Sequence, residues 1–267
     1  MRPTDVLRSL LVNRHLIVQL VRREISGRYR GSFLGVLWTF VNPLLMLAIY
    51  TFIFGYVFKS RWRSDAASPI EFSVVIFAGV MLHTLIAECI NKAPTLIVGQ
   101  TNFVKKVIFP LHCLAWVTVG SALFHTLISI FIFLVAVAFM QGSLSIGILW
   151  MPVLIAPFAL MVAGVVWVVA ALGVYLRDIG QLMGLMSSVL MFLAPIFYPL
   201  QSVPDRFRAI LYLNPLTFVV EQVRAVAIWG QPVDWVGWCV YTAVSFLVAA
   251  CGLTVFQRLR SGFADVL

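Results

Sequence analysis

Charged residues are scarce in this sequence. They make up 11% of its 267 residues, against roughly 25% in ordinary soluble domains, and only ten of them are acidic. Hydrophobic residues reach 62%, against roughly 45–50% in soluble domains. So few charges argue against a soluble globular domain, and the composition predicts a protein that crosses a membrane several times.

Several motifs of energy-driven transport are also missing. No G-x-x-x-x-G-K-[ST] motif occurs, so the chain has no phosphate-cradling loop of its own with which to bind ATP. The apolar runs carry no chain of Asp, Glu and His for a proton relay, no regular arginine series like that of a voltage sensor, and no TVGYG filter. Energy for uphill transport would have to come from another subunit.

Cysteines are few, and none of them forms a C-x-x-C pair. We interpret Cys89, Cys113, Cys239 and Cys251 as small buried hydrophobic residues, and we expect no metal site and no cofactor bound by this chain itself. The only charge placed inside a predicted span is Glu88, and Lys92 follows it at the i+4 spacing that favours an ion pair. A proton-carrying Glu88 is the alternative.

Six apolar runs are long enough to cross a bilayer, which takes about 20 residues. They lie at approximately 34–58, 72–92, 113–140, 149–175, 182–200 and 235–256. Such unbroken runs exclude the short alternating strands of a membrane barrel, and helices satisfy their own backbone hydrogen bonds in lipid. We therefore predict an all-α integral membrane protein with six transmembrane helices, which divides into residues 1–33 and a transmembrane domain at 34–267.

The first 33 residues predict an amphipathic helix that lies at the cytoplasmic membrane surface. Apolar residues recur there at near-helical spacing with arginines between them, a pattern typical of helices whose basic face meets anionic headgroups. Two functions explain this pattern equally well. The helix either serves only as a topogenic anchor or also contacts a cytoplasmic partner. With the N-terminus inside, thirteen of the nineteen Lys and Arg residues fall on the cytoplasmic side, so both termini are predicted to be cytoplasmic.

Three connections between the runs are unusual. Residues 91–112 are too polar for the membrane core and too apolar for a free loop, which indicates one or two short helices at the cytoplasmic face. Arg177 and Asp178 occupy a tight turn, where adjacent charges either mark the membrane boundary or contact a partner. Residues 199–234 contain two short apolar patches split by Asn214-Pro215, and we predict a re-entrant helical hairpin in the outer leaflet between spans five and six.

Aromatic residues are plentiful, with 21 Phe, 8 Trp and 7 Tyr. An interfacial belt would explain these residues. A conduit for sugars would also explain them, because the C–H faces of sugars stack on aromatic rings. The sequence alone does not separate the two. Span one carries Trp38, Tyr50 and Phe54 among others, and the end of span five carries Phe192, Phe197 and Tyr198.

Six motifs in this order resemble a known family. They are "RYRGSFLGVLWTFVNPLL", "FVKKVIFP", "YLRDI", "APIFYPL", "LNPLTFVVEQVR" and "FADVL", and they cover essentially the whole chain. The sequence is similar to the permease subunit of type-2 ABC exporters, in the branch that exports polysaccharides such as O-antigen. An ABC-2 exporter of capsule, teichoic acid, a small lipid or a drug is the alternative within that family.

The resemblance implies a homodimer of permeases bound to two copies of a separate ABC ATPase, which would hold ATP and Mg. It also implies a cytoplasmic loop and the turn after span four that contact the ATPase, with spans one and five of each copy lining the conduit. The aromatics implied to line it are Trp38, Tyr50, Phe54, Phe192, Phe197 and Tyr198. The chain would then be a transporter subunit and not itself an enzyme. The residues implied for ATPase coupling are Asn102, Phe103, Lys105, Lys106, Phe109, Pro110, Arg177 and Asp178.

The implied substrate is a polyprenyl-pyrophosphate-linked glycan. Its pyrophosphate would meet Arg28 and Arg30 at the cytoplasmic entrance, in a bacterial inner membrane and without any nucleic-acid partner. From a different class, an integral-membrane sugar transferase would need acidic or metal-binding residues grouped near the membrane surface. Here the acidic residues are scattered singly, which argues against that reading.

Overall fold

The computed structural model describes residues 11–58, 62, 69–100 and 109–267, and within these ranges it is helical without strands. Short 3₁₀ turns precede two of the helices, at Gly35–Leu37 and Ile146–Trp150, and the second helix continues as a π-helical stretch over Thr51–Val57. The helices are α1 (Arg14–Tyr29), α2 (Trp38–Tyr50), α3 (Pro69–Lys92), α4 (Cys113–Gln141), α5 (Met151–Tyr175), α6 (Ile179–Leu193), α7 (Asp205–Tyr212), α8 (Pro215–Ala227), α9 (Trp235–Arg260) and α10 (Phe263–Val266).

Within the described ranges, five helical segments are long and apolar enough to cross a membrane. They agree with five of the six predicted spans. They are Gly35–Val57, Ile70–Thr95, Cys113–Gln141, Ile146–Tyr175 and Trp235–Arg260.

The predicted fifth span, 182–200, is shorter in the structure than the sequence suggests. Helix α6 ends at Leu193, and its 15 residues extend about 22 Å, less than the roughly 30 Å of a hydrocarbon core. Ala194 is extended because the ring of Pro195 disfavours a helical residue before it. That α6 spans a membrane stays a prediction.

The interior of the bundle is formed mainly by α3 and α5. In the candidate spans that contain them, 78% and 72% of the apolar window is buried, against 6% for the span that contains α2. Helices α5 and α9 approach closely at glycines, since a Cβ on Gly164 would lie 2.7 Å from the Cα of Ala249. Of the four cysteines, Cys89 and Cys113 are buried as predicted, while Cys239 and Cys251 are exposed on α9.

Helix α1 forms in the predicted amphipathic segment and packs against α4. A Cβ on Gly120 would lie 2.9 Å from Cγ2 of Val21, so the glycine lets the two helices approach. Gly31 and Gly35, with φ of 84° and 52°, let the chain turn from α1 into α2. The location of α1 at a membrane surface stays a prediction.

Two short helices, α7 and α8, lie on either side of Asn214 in the segment for which a hairpin is predicted. The Oδ1 of Asn214 accepts a hydrogen bond from the N–H of Leu216 at 3.0 Å, which caps α8, and Pro215 occupies its first position. We call this side of the bundle the α8 end, and the opposite side, where Lys92 of α3 meets α1, the α1 end. The re-entrant position of the hairpin stays a prediction.

Candidate functional site

Aromatic rings from α2, α3 and α6 meet near the α8 end. The ring of Phe54 stacks on that of Phe197 at 6.0 Å between centroids, and Phe197 lies 6.1 Å from Phe192. Tyr50 precedes Phe54 by four residues, so the two rings share one helix face. We call this group the aromatic cluster: Tyr50, Phe54, Phe58, Phe72, Phe192 and Phe197.

The structure thus brings four of the six candidate conduit aromatics into direct ring contact. Tyr198 lies beside them, because its hydroxyl donates a hydrogen bond to the carbonyl of Phe192 at 3.0 Å. Trp38 is twelve residues before Tyr50, about 18 Å away along the helix, and does not belong to the cluster. Part of the cluster faces solvent or lipid: the side chains of Phe58 and Phe192 are 66% and 65% exposed.

Arg224 of α8 is fully buried behind the aromatic cluster. Its Nε donates to the carbonyl of Val75, its Nη1 to that of Pro195 at 2.5 Å, and its Nη2 to that of Ile196 at 2.9 Å. The Nη1 also lies 2.9 Å from a carboxylate oxygen of Glu221. A buried charge is tolerated only when it is paired and hydrogen-bonded, and these four partners meet that condition.

Arg224 stabilises the backbone conformation just after the end of α6. Carbonyls just beyond a helix end lack intrahelical partners, and the guanidinium supplies donors to two of them, at Pro195 and Ile196. The guanidinium also lies over the ring of Trp62 at 4.6 Å. Arg224 therefore fixes the segment that carries Phe197 against α3 and α8.

The sequence did not single out Arg224 as a structural or functional residue. A signal was present in "LTFVVEQVRAVA", where Glu221 and Arg224 are three residues apart in an otherwise apolar helix. That spacing puts an ion pair on the face of α8. It does not show that the pair is buried, because burial is decided by the elements packed around it.

A second group of polar residues lies at the α1 end. Arg28 forms an ion pair with Glu88 of α3, and its Nη1 lies 3.0 Å from Nδ1 of His125 on α4. The His125 Nδ1 is 3.1 Å from the second oxygen of Glu88, and its Nε2 is 3.1 Å from the hydroxyl of Tyr29. We call Arg28, Tyr29, Glu88 and His125 the ionic cluster. Burial raises the pKa of Tyr29 above its usual value of about 10, so its hydroxyl remains a hydrogen-bond donor.

The predicted ion pair between Glu88 and Lys92 is wrong. Lys92 pairs with Glu24 of α1, and Glu88 pairs with Arg28. The i+4 spacing places the two side chains on one face, but α1 lies across that face and offers each of them a partner of opposite charge. The sequence did not predict that α1 packs there.

The two arginines proposed for the entrance differ in their surroundings. Arg28 belongs to the ionic cluster, although its side chain is 49% exposed. Arg30 is exposed just beyond the end of α1 and forms no ion pair with any of the residues that the structure describes. Of the two, Arg30 has the charge that is available to a ligand.

The segments predicted to contact an ATPase are described in part. Asn102, Phe103, Lys105 and Lys106 lie outside the described residues. Phe109 and Pro110 are half-buried, and the Phe109 carbonyl accepts a hydrogen bond from Arg260 at 3.4 Å.

The turn between α5 and α6 lies at this same α1 end. It has three residues, Leu176–Asp178, and Arg177 and Asp178 are both exposed. Pro94 is close to both flanking helices: a Cβ on Gly173 would lie 2.7 Å from its Cα, and one on Gly180 would lie 4.0 Å from its Cβ. Pro94 itself is buried, so it packs the chain that follows α3 against both helices beside the exposed turn.

Comparison with known proteins places this architecture in a family. The family model described as ABC-2 type transporter matches residues 15–228. The chain is 26% identical over 263 residues to the O-antigen export system permease protein RfbA of Myxococcus xanthus, a match that covers 97% of this chain and 98% of that protein.

Two further relatives are similar over most of their length. The O-antigen export system permease protein RfbA of Klebsiella pneumoniae is 23% identical, with 94% of this chain and 95% of that protein covered. The capsule polysaccharide export inner-membrane protein CtrC of Neisseria meningitidis serogroup A is 23% identical, with 83% and 82% covered. Since the family match takes in well over half of its residues, the chain belongs to the ABC-2 type transporter family.

Proposed function

We propose that this chain is the permease subunit of an ABC transporter that exports a lipid-linked, O-antigen-like polysaccharide across a bacterial inner membrane. ATP hydrolysis on a separate subunit drives export. The observation that carries the proposal is the aromatic cluster between α2 and α6, exposed at Phe58 and Phe192, in a chain similar over nearly its full length to O-antigen export permeases. Rings offer stacking surfaces to the C–H faces of sugars without binding any one sugar tightly.

Two copies of the chain form the conduit in this proposal. The span that contains α2 is almost unburied within one copy, and α6 exposes Leu185, Val189 and Phe192 along one side. A second copy related by two-fold symmetry would cover part of these faces and leave the aromatic cluster lining a passage between them. The helix α6 then completes six spans, with both termini cytoplasmic and the α7–α8 hairpin in the outer leaflet at the exit.

The α1 end is the cytoplasmic side in this proposal, and its surface around Pro94, Arg177 and Asp178 contacts the ATPase. The exposure of both charged side chains supports this contact, as does the packing of Pro94 against the two helices that flank their turn. Residues 102–110 belong to the same contact. Motion of the ATPase pair would reach α6 directly, because the turn at Leu176–Asp178 leads into its first residue.

The pyrophosphate of the lipid carrier would approach Arg30, which is exposed beside the start of the conduit span. Arg28 supports this site indirectly, because its ion pair with Glu88 holds α1 against α3. An arginine guanidinium suits this ligand because it can bind phosphate oxygens through two parallel hydrogen bonds.

The proposal is tested by export in cells that depend on this permease and its ATPase. Phe197→Ala removes the stacked ring at the centre of the conduit, and we expect glycan at the cell surface to fall while the amount of permease in the membrane stays constant. Phe139→Ala is the control, since Phe139 is exposed on α4, away from the cluster. Normal export with Phe197→Ala, or equal loss with both variants, would contradict the assignment of the conduit.

Capsule polysaccharide is the second candidate substrate. The relative CtrC, named for capsule polysaccharide export, supports it, although that match covers less of this chain than the O-antigen permeases do. Complementation separates the two candidates: cells lacking an O-antigen permease should recover surface O-antigen with this chain and its ATPase, and cells lacking a capsule permease should not recover capsule.

A further inference from the structure

A large groove lies on the flank of the bundle, between α1, α4, α5 and α9. Its volume of about 1340 Å³ exceeds the roughly 300–1,000 Å³ of sites for drug-sized ligands. No residue of α2 or α6 lines it. The groove is therefore separate from the aromatic cluster and from the proposed conduit.

The walls of the groove are almost entirely apolar. Trp116 and Leu123 of α4, Val153 and Ala156 of α5, and Trp238 of α9 are among the lining residues. All three helices belong to candidate membrane spans, so the groove opens where the bilayer would be. A hydrocarbon chain is the ligand that such a surface accommodates.

Helix α1 forms one border of the groove, and there the chemistry of the lining changes. Val21 sits against Gly120 of α4, which places the next residue, Arg22, and then Ser26 on the groove lining. Arg22 forms no ion pair within the described part of the chain, in contrast to Arg28 on the same helix. An apolar groove thus ends at an available positive charge and a hydroxyl.

We propose that this groove binds a membrane phospholipid with an anionic headgroup. One acyl chain lies between α4, α5 and α9, and the headgroup phosphate meets Arg22 and Ser26. The charge of the site selects the headgroup, because a basic residue at a membrane surface favours anionic over zwitterionic lipids. A lipid held there also braces α1, the helix that leads to Arg28 and Arg30, against the bundle.

The native tryptophans of the groove provide a direct test. Full-length permease in phosphatidylcholine vesicles is titrated with phosphatidylglycerol or phosphatidylcholine that carries brominated acyl chains, which quench nearby indoles. The chain has 8 Trp, so the variants Trp116→Phe and Trp238→Phe identify the part of the quenching that arises in the groove. We expect groove quenching at about five-fold lower mole fraction of phosphatidylglycerol than of phosphatidylcholine.

Two pairs of variants separate the headgroup from the acyl chain. Arg22→Ala should bring the five-fold preference to about one, while Arg23→Ala, an exposed arginine on the same helix that does not line the groove, should leave it unchanged. Ala156→Phe fills the groove and should abolish groove quenching by both lipids. Ala243→Phe, an exposed alanine of α9 outside the groove, should not.

Three results would overturn the proposal. Equal quenching by both lipids in the unaltered protein means that the groove does not select an anionic headgroup. Unchanged quenching in Ala156→Phe means that no acyl chain occupies it. Trp116 and Trp238 shielded from both brominated lipids would show that a protein surface, such as a second copy, covers this flank instead.

Discussion

Arginine has opposite surroundings at the two ends of the bundle. At the α8 end, Arg224 is fully buried, and its partners include three backbone carbonyls that cannot move away without changing the fold. At the α1 end, Arg28 is half exposed and meets side chains that can rotate. The first arrangement fixes a structure, whereas the second can exchange partners at small cost. In the proposed function, the exit of the conduit would therefore be rigid and its entrance adaptable.

The largest effect on stability is expected for Arg224→Met. The change leaves the carbonyls of Pro195 and Ile196 without donors and Glu221 without its cation, and loss of one partner from a buried charged network costs about 3–5 kcal/mol. Chemical denaturation of the purified protein measures this loss. Arg206→Ala, on the exposed side of α7, is the matched control and should change stability by less than about 0.5 kcal/mol.

A smaller loss of stability is expected for Gly79→Val, which crowds the side chains around Arg224 without removing its charge. Even a Cβ at Gly79 would lie 3.0 Å from Cγ1 of Ile196 and 3.2 Å from the Nη2 of Arg224. Overpacking of this kind costs about 1–3 kcal/mol. Gly184→Val on α6 serves as the control because nothing lies within 4 Å of the added carbon. Equal stability of the two variants would show that the break after α6 is loosely held.

At the α1 end, a double-mutant cycle on Arg28→Ala and Glu88→Ala should give a coupling energy of about 1 kcal/mol. The same cycle on Glu88→Ala and Lys92→Ala should give a value near zero, since Lys92 pairs with Glu24. Thermal unfolding of the three single variants, the two double variants and the unaltered protein supplies both values. A larger coupling energy in the second cycle would support the Glu88–Lys92 ion pair predicted from the i+4 spacing.

The smallest effect on stability is expected for Arg30→Ala, which removes no contact within the described chain and should change the free energy of unfolding by less than about 0.5 kcal/mol. Its effect on export should nevertheless be large if Arg30 meets the pyrophosphate. Surface glycan and membrane insertion are measured together in cells. Normal export in Arg30→Ala would refute this role, and misinsertion would show that the residue is topogenic instead.

Much of this architecture is accessible from the sequence because long apolar runs have few ways to fold in lipid. Five of the six runs are confirmed as helices long enough to span. The run at 182–200 is apolar to its end, but Pro195 stops the helix at Leu193, and a count of apolar residues does not register a backbone break. Hydrophobicity therefore predicts the number of apolar segments better than it predicts their ends.

The candidate site shows the same limit. The aromatics Tyr50, Phe54, Phe192 and Phe197 were selected by residue type and by the family resemblance, which implies that spans one and five line the conduit. The structure brings them together. The buried position of Arg224 was not predictable, because it depends on three elements that are far apart along the chain. Local spacing predicts which side chains share a face, and only the packing of helices decides what lies opposite that face.

The most direct test of the proposed conduit is chemical cross-linking in native membranes. Phe192→Cys, in a chain with Cys239→Ser and Cys251→Ser, places a thiol on the exposed face of α6, and a short bismaleimide should join two copies into a covalent dimer. The unaltered chain, whose exposed thiols lie on α9, should give no dimer under the same conditions. Cross-linking through the α9 cysteines with none through Phe192→Cys would contradict a conduit formed between α2 and α6 of two copies.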